Sequence, residues 1–196
     1  MWRLNDTRRH EPGEMMSIPR EPPPCKLFSG VIYSSKVKGK LAIGELEKSI
    51  GQIEIISPEF PFDQTEYYSR EMGPCLKRMF CVFKGLFKRS DLLDAKYLCF
   101  ELEERYSLEE RRQVNLDPGI VTLETVVLST FKNFSHRIHI GREVYGDLTL
   151  RFEGGRFRTL PWTYPDYKDE KVINFFGKAR DVLYRETIQG GFRHAK

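Results

Sequence analysis

Long apolar runs are missing from this chain: nowhere do the roughly 20 consecutive apolar residues that a bilayer-spanning helix needs occur. The opening stretch, MWRLNDTRRHEPGEMMSIPREPPP, also lacks the apolar core of a secretory signal, so the expected setting is cytoplasmic, with no membrane partner. Charge of one sign is not in marked excess. The 32 Lys and Arg against 28 Asp and Glu leave a formal net charge of +4, short of the clustered surplus of a dedicated nucleic-acid binder and compatible with a small anionic ligand. Cysteine is sparse: Cys25, Cys75, Cys81 and Cys99 form no CxxC pair and no Cys/His zinc spacing, which points to inert thiols in a reducing compartment. There is no GxxxxGK(S/T) loop, no strand-associated GxGxxG, no HExxH and no GxSxG elbow. A standard GTPase, Rossmann enzyme, zincin or α/β-hydrolase is thereby set aside.

What is present is enough for one core, since 196 residues of which 40% are hydrophobic favour a single domain. Residues 1–24 hold five prolines and no apolar period and read as a disordered arm; residues 25–186 read as the domain, and 187–196, with a Gly pair, as a flexible tail. CKLFSGVIYS is β-prone, LAIGELEKSIG carries helical spacing up to Gly51 as its cap, and QIEIISPEF and LKRMFCVFKGLF read as two further strands. SDLLDAKYLCFELEERY sets Leu92, Ala95, Cys99, Leu102 and Tyr106 on one stripe behind a Ser/Asp start, the clearest helix in the chain. With RRQVNLD as a fourth strand the order is β-α-β-β-α-β, that of a ferredoxin-like α+β core. A C-terminal extension follows. VYGDLTLRF alternates, with Val144, Leu148, Leu150 and Phe152 on one face and Tyr145, Asp147, Thr149 and Arg151 on the other. Gly154-Gly155 turns it into a hairpin, and DEKVINFFGKARDVLYRE closes the domain as a helix through Val172, Phe176, Ala179 and Leu183.

Polar constellations interrupt this pattern. PFDQTEYYSREMGP places Asp63, Glu66, Tyr67, Tyr68 and Glu71 in a long link. It reads either as a lid, whose carboxylates hold a hard ion and whose rings stack on a planar ligand, or as a short helix with solvated acids. In NLDPG, turn chemistry alone explains Asp117, Pro118 and Gly119. Asn115, on the same side of an extended chain as Asp117, is not required by a turn, and the pair suits a metal ion, a ribose hydroxyl or a base edge. IVTLETVVLST leans towards a helix capped by Thr122. In FKNFSHRIHIG, Lys132 and Arg137 make an anion clamp, while His136 shares a strand face with Ile138 and Ile140 and reads as a core histidine bonded to backbone. LPWTYPDYKDE brings Trp162, Tyr164 and Tyr167 with Thr163 and Asp166, either to stack on a base or sugar or as a latch before Asp169 caps the last helix. The basic run Lys77, Arg78, Lys84, Lys88 and Arg89 reads as a solvated edge, because it straddles core residues.

Taken in order, KLFSGVIYS, PEFPFDQTEYYSREMG, LKRMFCVFK, VNLDPGIVTLETVVLSTFKNFSHRIHIG and LPWTYPDYKDE resemble the uncharacterised prokaryotic domain-of-unknown-function family 4416, over roughly Lys26 to Tyr184. The family pattern falls on Asp63, Tyr67, Tyr68, Glu71, Asn115, Asp117, His136, Arg137, Trp162, Tyr164 and Asp166. Members are often labelled GTP-binding protein, so the resemblance implies GTP as one candidate ligand. The expected function is binding of a small anionic, phosphorylated or nucleotide-like ligand, with Arg137 and Lys132 on its charge and Asn115 and Asp117 on its hydroxyls or a metal ion. The first alternative is a Mg²⁺- or Mn²⁺-assisted phosphate hydrolase or transferase using Asp63, Glu71, Asp117 and His136. The second is a protein-interaction module that recruits a partner through the proline-rich arm and the aromatic latch.

Overall fold

A computed structural model describes residues 19–189 apart from 64, 65 and 110. Most of the arm expected over residues 1–24 therefore lies outside the described residues, as do residues 190–196 of the expected tail. Among the described residues, mixed α and β structure builds one nine-stranded antiparallel sheet. Its strands are β1 (Lys26–Tyr33), β2 (Ile53–Ile56), β3 (Phe60–Pro61), β4 (Lys77–Phe83), β5 (Val114–Val121), β6 (Thr125–Thr130), β7 (Arg137–Gly141), β8 (Val144–Glu153) and β9 (Arg156–Thr159). The helices are α1 (Lys36–Ser49), α2 (Glu66–Met72), α3 (Asp91–Arg105) and α4 (Glu170–Gln189), the last preceded by a 3₁₀ turn over Pro165–Lys168. Strands run in the order β2-β4-β1-β5-β6-β8-β7, with β3 on β4 and β9 on β8. No helix among the described residues is long and apolar enough to cross a membrane.

β1 is buried along its whole length because both of its faces are covered. Leu27, Val31 and Tyr33 pack with Ala42 and Leu46 of α1 and with Leu92, Ala95, Cys99 and Leu102 of α3. Phe28 on the opposite face packs with Phe80, Phe157, Tyr167 and the α4 stripe of Val172, Phe176 and Ala179. The period-2 alternation of a strand and the 3.6 period of the helices thus agree on three layers. Phe28 stands edge-on to Phe176 at 4.8 Å, and each fully buried ring of this kind contributes about 1.5–3 kcal/mol by leaving water. Gly51 follows the end of α1 at φ +139, and Gly154 and Gly155 at φ +60 and +79 make the tight β8–β9 turn. Asp169 accepts from Lys171 N at 2.7 Å and caps α4, which runs on past the expected boundary at Glu186 with Thr187 buried.

Four expectations are corrected. NLDPG is not a turn but the middle of β5, with Asp117, Pro118 and Gly119 opposite Gly30, Ser29 and Phe28 of β1. Gly119 is needed for close approach: an added Cβ would lie 2.5 Å from the Phe28 ring and 2.6 Å from Val127 O. IVTLETVVLST is not a helix; its β-branched residues end β5 and form β6, and Thr122 makes the turn between them by accepting from Glu124 N and Thr125 N. His136 is not a core histidine bonded to backbone. β7 is the outer strand, Ile138 beside it is 73% exposed, and His136 meets the Asp147 carboxylate and stacks on Trp162. Arg78 is not on a solvated edge: at 4% exposure it lies between Gly30 and the 3₁₀ turn.

Candidate functional site

The sheet splits between β5 and β6. The two strands pair only at Gly119, Ile120 and Val121 with Leu128, Val127 and Val126; beyond Gly119, β6 stays on β8 while β5 stays on β1. Pro118 is where the ladder stops, because proline has no N–H for the neighbouring strand. Its carbonyl instead accepts from Ser129 Oγ of β6 at 2.8 Å, so this edge of β5 faces β6. Backbone direction alternates along a strand, which turns Leu116 N–H to the same edge, and there the Glu103 carboxylate of α3 accepts it at 2.6 Å. Side chains thus replace the missing strand on both sides of the fork.

A cleft of about 590 Å³ occupies this fork, within the range of about 300–1,000 Å³ usual for small-molecule sites. Arg78 forms its floor. Its Nη2 donates to Asp117 Oδ2 at 3.0 Å and to the Tyr167 hydroxyl at 3.2 Å, and its Nη1 lies 3.1 Å from Asp166 Oδ2. The guanidinium sits 5.5, 5.0 and 5.2 Å from the ring centroids of Phe62, Phe80 and Tyr167, a cation held over π faces. Burial alone works against its charge, but the Asp166, Tyr167 and Asp117 oxygens outweigh it and keep Arg78 more firmly protonated than in water. Burial pushes the Asp166 carboxyl above the ordinary carboxylate range, against the pull of Arg78.

Arg112 organises the second wall, donating to both oxygens of Glu71 at 2.7 Å each and to Asn115 Oδ1 at 2.8 Å. The hydrogen bonds from Arg112 hold Glu71 below its usual range, whereas burial raises Glu103 despite the Leu116 N–H it accepts. Arg137 organises the third, with Nε 2.8 Å from Asp147 Oδ2, Nη1 on Lys132 O and Nη2 on the Tyr164 hydroxyl at 2.5 Å. His136 Nε2 reaches the same Asp147 oxygen at 3.2 Å, because His136 precedes β7 and is released from the strand alternation that would aim it away from Arg137. Trp162 stacks on His136 with ring centroids 5.2 Å apart and donates to Leu148 O.

Beyond the ion-paired floor, where Arg78 Nε and Asp166 Oδ2 also have no hydrogen-bond partner among the described residues, three lining groups stand out by what they lack. Asn115 is 3% exposed and its Nδ2 has no hydrogen-bond partner among the described residues; the same is true of Asp147 Oδ1. The Lys96 ammonium of α3 faces the Phe131 ring at 5.1 Å and has neither a hydrogen bond nor an ion pair among the described residues. Buried polar atoms are almost always satisfied, so such groups gathered along one cavity depart from the rule.

Of the site residues expected from the sequence, Tyr68, Asn115, Asp117, Lys132, Arg137, Tyr164 and Asp166 line the cleft. His136 and Trp162 stand behind Asp147 and do not line it, and the side chain of Tyr67 lies outside the described residues. Glu71 is held by Arg112, Asp63 is exposed and away from the lining, and Asp117 faces Arg78. Among the described residues no group of three or more His, Cys, Asp or Glu is placed to hold a metal ion. The set Asp63, Glu71 and Asp117 therefore does not fit Mg²⁺ or Mn²⁺, which takes oxygen donors gathered around one point. Sequence reasoning passed over Arg78, Lys96, Glu103, Arg112 and Asp147. Lys96 and Glu103 carried a signal, since they fall three before and four after Cys99 and so share its buried stripe. The alternation of VYGDLTLRF sets Asp147 and Thr149 on the face opposite Leu148 and Leu150, yet both are buried; Thr149 O accepts from Thr163 Oγ1 at 2.6 Å, under the LPWTY segment.

A family model described as Domain of unknown function (DUF4416) matches residues 23–183. No curated protein and no solved structure matches the chain.

Proposed function

Because the chain belongs to the DUF4416 family, whose description carries no activity, we propose from the cleft itself that it binds a small anionic, phosphorylated or nucleotide-like ligand in the fork between β5 and β6. The observation that carries this is the meeting, in one aromatic-walled cavity, of the Lys96 ammonium with the partnerless Asn115 Nδ2 and Asp147 Oδ1. Lys96 supplies positive charge for the anion, with Lys132 on the same side of the fork, while Asn115 offers a donor and Asp147 an acceptor to hydroxyls or a base edge. Tyr68, Phe100, Phe131 and Tyr164 supply flat apolar walls. The strand order β2-β4-β1-β5, with α1 and α3 on one face, supports a ferredoxin-like first half; in that reading the ligand sits where the added strands leave the unit. A reducing, cytoplasmic setting belongs to the same reading, supported by the free, buried thiols of Cys25, Cys81 and Cys99.

The metal-assisted alternative needs Asp63, Glu71 and His136 around one ion with Asp117, whereas Glu71 is engaged by Arg112 and His136 by Asp147 and Trp162. The ligand-binding reading is therefore preferred. Its test is a thermal-shift panel of phosphate, sugar phosphates and nucleotides on the full chain, with and without Mg²⁺ or Mn²⁺. A ligand at about 100 times its Kd adds roughly 2.7 kcal/mol of stability, a shift that Asn115→Ala should reduce for the sugar phosphates and nucleotides. No shift with any compound would overturn the reading.

A further inference from the structure

The way charge is already spent inside the cleft narrows the ligand beyond "anionic". Every guanidinium that lines it has carboxylate partners within 4 Å: Arg78 has Asp117 and Asp166, Arg112 has Glu71 and Glu103, and Arg137 has Asp147. Five lining cations (these three with Lys96 and Lys132) face four lining carboxylates (Glu103, Asp117, Asp147 and Asp166), and Glu71 on Arg112 brings the acids to five. The cavity is thus close to neutral as built. A terminal phosphate brings about −1.5 to −2 charge, and each further phosphoryl group adds more, all of it beside buried carboxylates that cannot move away. The hydrogen-bonding atoms that lack partners are carried by strands rather than by α3: Asn115 Nδ2 on β5 and, on β8, Asp147 Oδ1, the second oxygen of the carboxylate that Arg137 holds.

Resting on the ligand-binding reading above, we propose that the cleft selects a hydroxyl-rich molecule with one phosphate, a sugar monophosphate or nucleoside monophosphate, and discriminates against nucleoside triphosphates. The single phosphate lies against Lys96. The sugar hydroxyls reach inward, accepting from Asn115 Nδ2 and donating to Asp147 Oδ1. Both of these atoms are shut from water in the free protein, so contact requires the cleft wall to give by side-chain rotation, a usual response to a small ligand. The two sources of this chemistry differ by a base, and the aromatic walls accept a base or leave it out.

Isothermal titration of the full chain with ribose 5-phosphate, guanosine monophosphate, GTP, ribose and inorganic phosphate, each with and without Mg²⁺, separates the possibilities. At least one monophosphate is expected to bind, GTP to bind about tenfold or more weakly than guanosine monophosphate, and inorganic phosphate and ribose each to bind more weakly than the joined molecule. Lys96→Gln should weaken the monophosphate by about tenfold, the loss of one charge-assisted contact, and Asn115→Ala should weaken ribose 5-phosphate while leaving inorganic phosphate unchanged. Folding of both variants is checked by circular dichroism, and Lys96→Arg, which keeps the charge, should retain binding. GTP binding as tightly as the monophosphate, in either condition, overturns this inference and leaves the ligand cleft standing. Inorganic phosphate binding as tightly as ribose 5-phosphate overturns the hydroxyl part. Binding by none of the five overturns both this inference and the function on which it rests.

Discussion

Replacing Arg78 by Met tests the cleft floor. Met fills much of the same space against Phe62, Phe80 and Tyr167 but leaves the Asp117 and Asp166 carboxylates facing each other without a cation. Removing one member of a buried ion pair costs about 3–5 kcal/mol. The lower part of that range applies here, because a quarter of the Asp117 side chain is exposed and water recovers some of its charge. The loss should depend on pH with a definite sign. Burial already raises Asp166 above its ordinary value and Arg78 opposes that rise, so without Arg78 the folded chain holds the proton more tightly still. A carboxyl with a folded value above the unfolded one favours folding less as pH climbs from the unfolded range, about 4, through the folded value. Urea denaturation should therefore show a penalty near 3 kcal/mol at about pH 7 and a smaller one at about pH 4.5, and adding Asp166→Asn should recover part of it at pH 7. A loss below about 1 kcal/mol at pH 7, or a loss that grows as pH falls, would refute the buried-pair assignment.

Gly119→Ala should destabilise by about 1–3 kcal/mol, since its Cβ would meet the Phe28 ring at 2.5 Å and backbone oxygen Val127 O at 2.6 Å, whereas Gly177→Ala in α4, with nothing within 4 Å, should stabilise by about 0.5–1 kcal/mol; equal effects in denaturation curves would contradict the strand assignment of NLDPG. Glu103→Gln keeps an acceptor for Leu116 N–H but loses the charge that burial disfavours. Its stability relative to the parent should rise from about pH 4 to pH 7, and a fall over that window would show that Lys96 and Arg112 dominate instead. Ser129→Ala removes the bond to Pro118 O and should cost about 1 kcal/mol, with amide exchange at the fork rising more than in β1.

Much of the fold was legible because period and packing agree. β1, β4, α3, the Gly154-Gly155 hairpin and α4 follow from residues whose spacing matches the face they bury. NLDPG was misread because Asp-Pro-Gly is turn chemistry only while its neighbours are free. Here β1 holds the segment extended, and the same proline and glycine serve to end one ladder and admit one ring. The histidine was misread because its assignment assumed a covered β7, and coverage is decided by sheet order, which a local pattern does not carry. Within the site, Asn115 was recoverable because nothing local required it. Arg78 was not, since a basic residue in a strand looks solvated until Phe62 and Tyr167, from separate segments, join Phe80 of its own strand around it. Arg112 carries no local signal at all: Glu71, Glu103 and Asn115 reach it from three separate elements.

The most direct test of the fork as a ligand site is the ¹⁵N amide spectrum of the full chain titrated with ribose 5-phosphate. Saturable shifts are expected at Lys96, Asn115, Leu116, Asp117, Ser129 and Asp147, with β2 and the last turns of α4 unmoved. Shifts confined to residues outside the fork, or none at millimolar ligand, would contradict the account.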